Sequence, residues 1–493
     1  MLRPWRMRLD IQIDQKSQTP LYLQIVHGII HEIERGRLES GEFLASSREM
    51  ALALGVNRKT VVLAYEDLIA QGWLISEGTS GTKVSDAIPV RTVSASQRNV
   101  SAGDDGSVPL YDYAAPPERS LAISGKGGTK LDEGSPDGRL FPADVLSRAY
   151  RSAILRASRH DHLSYSDPRG SSFLREEIAK MLTSERGLVV SADNICITRG
   201  SQNGIFLAAK TLLKPGDVVL VEDLTYEPAL EAFRSCGAHI VSVKLDELGV
   251  DVEDVERKCR EYDVKMIFLT PHHQFPTTVS LSPERRLQII HLANHYRFAI
   301  LEDDYDHEFH FHSQPLLPMA SYAPQNVVYV GSLSKMALPA LRVGYVAAPV
   351  SFVDALAHQV SISDGMGNIL TEDAAALLMS EGELRRHARK AARAYAARRE
   401  FFATSIQTLF GEHVTFRMPA GGLAFWVRFP DMRILDRIER NATREGLRFA
   451  PSHSYSVTGK ACDGLRLGFG SRTEKEARKA LEMLAKAADL PAI

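Results

Sequence analysis

In the stretch VVYVGSLSKMALPALRVGYVAAP, Lys335 follows Ser332 and Ser334 and precedes Arg342 by seven residues. An amine set among hydroxyls and a guanidinium suits one chemistry well. The amine condenses with an aldehyde, and the hydroxyls and guanidinium hold a phosphate on the same ligand. Alone, Ser-x-Ser-Lys fits a surface lysine after a strand equally well, so its company decides. Upstream, FAILEDDYDHEF runs from strand-forming residues into acidic ones. Asp303 then falls at the carboxyl end of a parallel strand, where α/β sheets bind ligands. There it can pair with a ring nitrogen and keep it protonated, which makes the ring an electron sink. Tyr305, two residues on, is placed to hydrogen-bond a phenolic oxygen of the same ring. Asp304, Asp306 and Glu308 are expected in a solvated acidic loop. Further upstream, ICITRGSQNGIFLAAKTLLKPGDVVLVEDLTYEPAL gives a strand, a Gly-Ser-Gln turn and a helix start. Backbone N–H groups and the helix dipole make that turn a phosphate cradle, with Ser201 and Gln202 in it. Tyr226, after the next strand, suits stacking on the ring and core packing equally.

These residues need a scaffold, and the chain from about Leu131 to its end supplies one. Short β-branched runs alternate with helical patterns: NICIT then SQNGIFLAAKTLL, VVLVED then EPALEAFRS, MIFLT then PERRLQIIHLANHY. Strands alternating with helices predict an α/β fold with a mainly parallel sheet. Before it, residues 86–128 turn to Ser, Gly, Pro, Asp and Arg, which reads as a long exposed linker. No internal repeat is found.

The first 85 residues carry a separate pattern. Leu21, Ile25, Ile29, Ile30 and Ile33 share one helical face. Ser47 is expected to cap a short second helix, REMALAL, with the turn at Gly55-Val56. Asn57 then caps a third, RKTVVLAYEDLIAQ, ending at Gly72, with Val61, Ala64, Tyr65, Leu68 and Ile69 facing the core. Arg58, Lys59 and Thr60 fill its first turn, where a recognition helix presents side chains to the major groove. WLISEGTSGTKVS reads as two short strands about a glycine-rich tip, a wing carrying Lys83. With Arg48, these cations fall where DNA phosphates would lie. The competing reading is a small helical domain for protein contacts, since charges across the module are about balanced.

The formal net charge is −2 over 493 residues, so DNA contact must come from a local patch. No apolar run is long enough to span a membrane, and MLRPWRMRLD has no apolar stretch behind it to make a secretory signal. Cys196, Cys236, Cys259 and Cys462 are scattered without a CxxC. That fits reduced thiols in a cytoplasm, and no metal site is expected.

The segment LASSREMALALGVNRKTVVLAYEDLIAQGWL with GTSGTKV resembles the winged helix-turn-helix of the GntR superfamily. Ala45 departs from it, standing where the family has proline. From Leu131 onward the chain resembles fold-type I aminotransferases of class I/II, and its YSDPRGSSFLREEIAKMLTSERG is a further match. LTPHHQFPTT stands in place of the aminotransferase NPxNPTG segment. Its His-Gln form, with GSQNG, is similar to the MocR/GabR family of regulators. The resemblance implies an α+β winged helix-turn-helix (residues 9–85), a linker (86–128) and an α/β pyridoxal-phosphate-dependent transferase fold (129–493) with a small C-terminal α/β subdomain. It implies pyridoxal 5'-phosphate on Lys335, Asp303 and Tyr305 at its ring, and Arg342 at its phosphate. Tyr165 corresponds to the tyrosine reaching the cofactor phosphate of a neighbouring subunit, hence a homodimer. Arg466, in GLRLGFG, matches the arginine that binds an amino acid's α-carboxylate. The expected activity is DNA-binding transcription regulation that senses an amino acid or amine by aldimine exchange at Lys335. Alternatives are a working aminotransferase and a sensor of pyridoxal phosphate itself. Thr278 stands where the motif has glycine, which leaves the turn there open. Pro228 stands where the GABA-sensing member has arginine, which argues against GABA but not against another amino acid.

Overall fold

The computed structural model describes residues 9–87, 112, 128–159, 163–311 and 316–490. The chain divides into two compact units, Met1–Pro116 and Pro117–Ile493. Nearly all of the expected linker, 86–128, lies outside the described residues.

The first unit is three helices and a two-stranded wing. Helices Leu21–Glu34, Ser47–Leu54 and Arg58–Ala70 close over a core that includes Ile25, Ile29, Met50, Val61, Ala64, Tyr65 and Leu68. Strands Leu74–Ser76 and Thr82–Val84 pair antiparallel. The second helix is capped by Ser46 rather than by Ser47. The Ser46 hydroxyl accepts from Glu49 N and the Glu49 carboxylate accepts from Ser46 N, a reciprocal arrangement that leaves Ser47 as the first helical residue. Asn57 caps the third helix as expected, its side chain accepting from Lys59 N. Tyr65 donates to the Ala45 carbonyl at 2.8 Å, which holds the start of the second helix without a proline.

The second unit is built on a seven-stranded sheet. Its order is Ile195–Thr198, Gly344–Ala347, Val327–Ser332, Ala299–Asp304, Val264–Leu269, Val218–Glu222 and His239–Val243. Gly344–Ala347 runs against both its neighbours, and the other pairs are parallel. Val327–Ser332 is buried along its length and Val264–Leu269 at every residue but Lys265, as runs without alternation require. Gly331 lets two of them approach, since a Cβ there would lie 2.3 Å from Tyr345 Cζ. A smaller, three-stranded antiparallel sheet, Thr415–Phe416, Ala424–Arg428 and Gly464–Gly468, packs with helices Glu383–Phe410 and Glu474–Ala487 around a second core. Thr129–Lys130 joins this subdomain by pairing with Leu447–Arg448. No helix among the described residues is long and apolar enough to cross a membrane.

The acidic loop after Ala299–Asp304 is not solvated. Asp304 and Asp306 are buried, as is most of the Glu308 side chain. Arg186, the last residue of helix Ser172–Arg186 and 1% exposed, donates to Asp304 Oδ2 at 2.9 Å, to Tyr329 Oη at 2.8 Å and to Glu308. Removing one side of a buried ion pair leaves charges without a partner. Arg186→Ala should therefore lower the unfolding free energy by about 3–5 kcal/mol. A denaturant titration checks this, and a loss below about 1 kcal/mol, the range of surface ion pairs, contradicts it.

Candidate functional site

The carboxyl ends of the central strands converge on Lys335. The strand Val327–Ser332 leads straight into it, and Ser332 Oγ accepts from Ser334 N at 3.1 Å to fix the turn. Lys335 donates to the Gly134 carbonyl, and its Nζ lies 5.8 Å from the centre of the Tyr305 ring. Burial lowers the basicity of Lys335; Asp306 opposes this and Arg466 adds to it. The free amine is therefore available at lower pH than in an exposed lysine.

Arg466, on the strand Gly464–Gly468, meets the same tyrosine from the other subdomain, its guanidinium carbon 5.9 Å from the ring centre. It donates to Tyr305 Oη at 3.1 Å, to the Pro276 carbonyl at 2.9 Å and to the Glu133 carbonyl at 2.8 Å. Tyr305 in turn donates to the His273 carbonyl at 2.9 Å. Asp303 stands apart, buried with its Oδ1 lacking any hydrogen-bond partner. Burial, then the neighbouring Asp304 and Asp306, hold its carboxyl well above the usual range. Asp306 is the reverse case: burial pushes it up, but His273, with Nδ1 2.7 Å from Oδ1, holds it below that range.

The Gly-Ser-Gln turn and the helix start form where the sequence places them. Helix Ser201–Leu212 starts after Gly200, whose φ of 86° suits only glycine. A Cβ there would lie 2.9 Å from an Arg342 guanidinium nitrogen. Arg342 donates to the Arg199 carbonyl at 2.8 Å, at the mouth of this turn. Ser334 Oγ and Gln202 Oε1 are buried and have no partner, while Gln202 Nε2 donates to Pro228 O at 2.7 Å. Tyr226 is half-buried with its ring centre 5.1 Å from that of Phe275. Tyr165 is 93% exposed and joins none of these groups. Thr278 adopts the left-handed conformation, φ 62°, at the position where the related motif has glycine.

Three residues near Lys335 had no sequence signal. Asp132, Glu133 and Gly134 come in from the amino-terminal edge of the domain. Gln274 donates to Glu222 Oε2 at 3.2 Å and to the Leu224 carbonyl at 2.7 Å, and burial pushes Glu222 up to about 8. Burial also pushes His272 down to about 2 and His310 to about 4.

In the DNA-binding module, Arg48, Asn57, Arg58 and Lys59 are exposed, and Ser47 and Thr60 half-buried. Arg58 Nε donates to Ser47 Oγ at 3.3 Å, which ties the second and third helices together. Lys83 on the wing contacts Glu77 at 2.6 Å and Asp86 at 3.3 Å.

Comparison with known protein families matches both parts. Residues 21–84 match the family of bacterial regulatory proteins, gntR family, and residues 127–484 match aminotransferase class I and II. The chain belongs to the MocR/GabR-type regulators, which join these two domains. It is 27% identical to the probable rhizopine catabolism regulatory protein MocR of Rhizobium meliloti, over 96% of this chain and 95% of that one. It is 30% identical to the HTH-type transcriptional regulator TauR of Rhodobacter capsulatus, over 85% and 86%. The crystal structure of a multiple substrate aminotransferase from Thermococcus profundus matches with TM-score 0.68 and 25% identity, covering 75% of this chain and 93% of that one. The regulator binds DNA through its GntR-type domain, and its cofactor is pyridoxal 5'-phosphate. The site suits that cofactor: it offers an amine, a partnerless buried carboxylate for a protonated ring nitrogen, and unpaired polar atoms beside a glycine turn.

Since Arg466 lowers the basicity of Lys335 and Asp306 raises it, Arg466→Gln should move the pH midpoint of pyridoxal phosphate incorporation upward. Asp306→Asn should move it downward. Stopped-flow loading of the cofactor-free protein across pH measures both, and coincident profiles contradict the charge assignment.

Proposed function

We propose that this protein is a DNA-binding transcription regulator in which the pyridoxal phosphate site receives an amino acid or amine as a signal. The supporting observation is the convergence of Lys335 and Arg466 on Tyr305, each within 6 Å of its ring centre. An amine and a guanidinium so placed match the two ends of an amino acid's reactive half, its amino group and its carboxylate. When bound, pyridoxal phosphate supplies an aldehyde that condenses with primary amines and a ring that accepts electrons.

In this reading Lys335 holds the cofactor and yields its place to the ligand's amine. Asp303 keeps the ring nitrogen protonated, Tyr305 faces the ring oxygen and Tyr226 covers the ring. Ser201, Gln202, Ser332, Ser334 and Arg342 surround the phosphate. Arg466 turns from its carbonyl partners to the ligand carboxylate. The exposure of Tyr165 supports its use by a neighbouring subunit, and so a homodimer. Residues 9–85 meet the operator, 86–128 connect, and 129–493 sense. At the operator, Arg58, Lys59, Thr60 and Asn57 enter the major groove, and Ser47, Arg48 and Lys83 lie at the phosphates. The residues for amino transfer are also present, so an aminotransferase is the second reading. The fused DNA-binding domain favours regulation as the main role.

Lys335→Ala should lose the adduct that borohydride fixes in the wild type, and with it the response to ligand, while retaining DNA affinity. Mass spectrometry after reduction reads the first effect, and a cofactor adduct on the variant would show that another lysine serves. Arg58→Ala should weaken binding to a DNA fragment selected by the protein from a random pool by about 1–3 kcal/mol. An unchanged dissociation constant at fixed salt contradicts the base-reading role of Arg58.

A further inference from the structure

The loops after the strands Val264–Leu269 and Ala299–Asp304 bring together three imidazoles that the cofactor site does not use. One ring nitrogen from each of His272, His307 and His310 lies within 4.8 Å of the others. The Nε2 atoms of His272 and His310 are 3.0 Å apart. His272 and His307 are buried and His310 is half-buried.

We propose that His272, His307 and His310 form a binding site for a divalent transition-metal cation of the zinc type. Imidazole nitrogens bound to zinc lie about 2.0–2.1 Å from the ion, hence roughly 3.3 Å from one another in a tetrahedral array. One pair already has that spacing, and the third nitrogen needs only a small closing movement. The surroundings are those of a ligand shell. His307 Nδ1 lies 3.1 Å from Asp304 Oδ2, and a carboxylate beside a ligating imidazole orients the ring and raises its basicity. Asp304 Oδ1, also buried, has no hydrogen-bond partner, so polar capacity is left over beside the cluster.

Asp304 lies on the segment that carries two of the rings and pairs with Arg186 as well as His307. Three nitrogen donors select zinc, nickel, cobalt or copper over magnesium or calcium, which take oxygen ligands. His310 is the least buried ring and leaves an approach from solvent. Bound there, the cation would clamp two loops to each other. One holds His273 and Gln274, the other Asp303 and Tyr305, so the metal would stiffen the ring side of the cofactor site. This inference does not depend on what Lys335 senses.

The test uses the full-length, pyridoxal-phosphate-loaded protein, stripped by a chelator and dialysed against zinc sulfate or magnesium chloride. Elemental mass spectrometry should find one zinc per chain more in the wild type than in the His272→Asn/His310→Asn double variant, and no retained magnesium. Cobalt chloride should give visible d–d absorption in the wild type alone. The single variant His310→Asn, altered at the half-buried ring, should lose at least about tenfold in zinc affinity, with near-ultraviolet circular dichroism and the cofactor band unchanged. It decides the matter should the double variant fail to fold. Equal zinc content in wild type and variants, or no zinc retained by the wild type, overturns the proposal.

Discussion

Between Asp303 and Glu308 the chain carries four carboxylates, and the fold takes them largely out of water. Each ion buried without a partner costs several kcal/mol, so the segment folds only because other parts of the domain come to it. Arg186 arrives from a helix 118 residues earlier in sequence to meet Asp304 and Glu308. His273 arrives from the adjacent strand's loop to meet Asp306. Asp303 keeps its Oδ1 without a hydrogen-bond partner, and the charges of Asp304 and Asp306 make its carboxyl still more costly to ionise. In the proposed function a protonated ring nitrogen would be its partner. The arrangement that pairs Asp304, Asp306 and Glu308 thus leaves Asp303 without an ion pair, as its proposed role at the cofactor requires.

The same constraint explains what sequence could reveal. Alternating strand and helix patterns were enough to place Lys335 after a buried strand and Ser201 at a helix start behind Gly200. The caps and apolar faces of the DNA-binding module were readable too, apart from a one-residue error in which Ser46 replaces Ser47. Such features depend on local period and turn chemistry. The burial of Asp304, Asp306 and Glu308 does not: an acidic run is solvated unless a distant cation joins it, and nothing near Arg186 in sequence marks it as that cation. Asp132–Gly134 reach Lys335 for a similar reason, through pairing of Thr129–Lys130 with a strand more than three hundred residues later. His272 and His310 likewise meet only because their strands are neighbours in the sheet. Thr278 shows the opposite limit, since its left-handed backbone follows the related motif although its side chain does not favour it.

Each unit encloses its own hydrophobic core. A ligand in one can then influence the other only through an equilibrium that both share. In the proposed account that equilibrium involves the two subdomains of the sensing unit, because Lys335 and Arg466 come from different ones. Arg466 is now held by the carbonyls of Glu133 and Pro276. A carboxylate competing for it would release those contacts, which is the differential affinity that a population shift requires.

The central claim is that the site retains its ligand as a signal instead of turning it over. Titrating the cofactor-loaded protein with a panel of amino acids and amines, while following cofactor absorbance and assaying keto acid, tests it directly. The account predicts that one ligand shifts the band and stays bound with no keto acid released. Conversion of the cofactor to its amine form, with keto acid accumulating over many turnovers, would contradict it and make the chain an aminotransferase first.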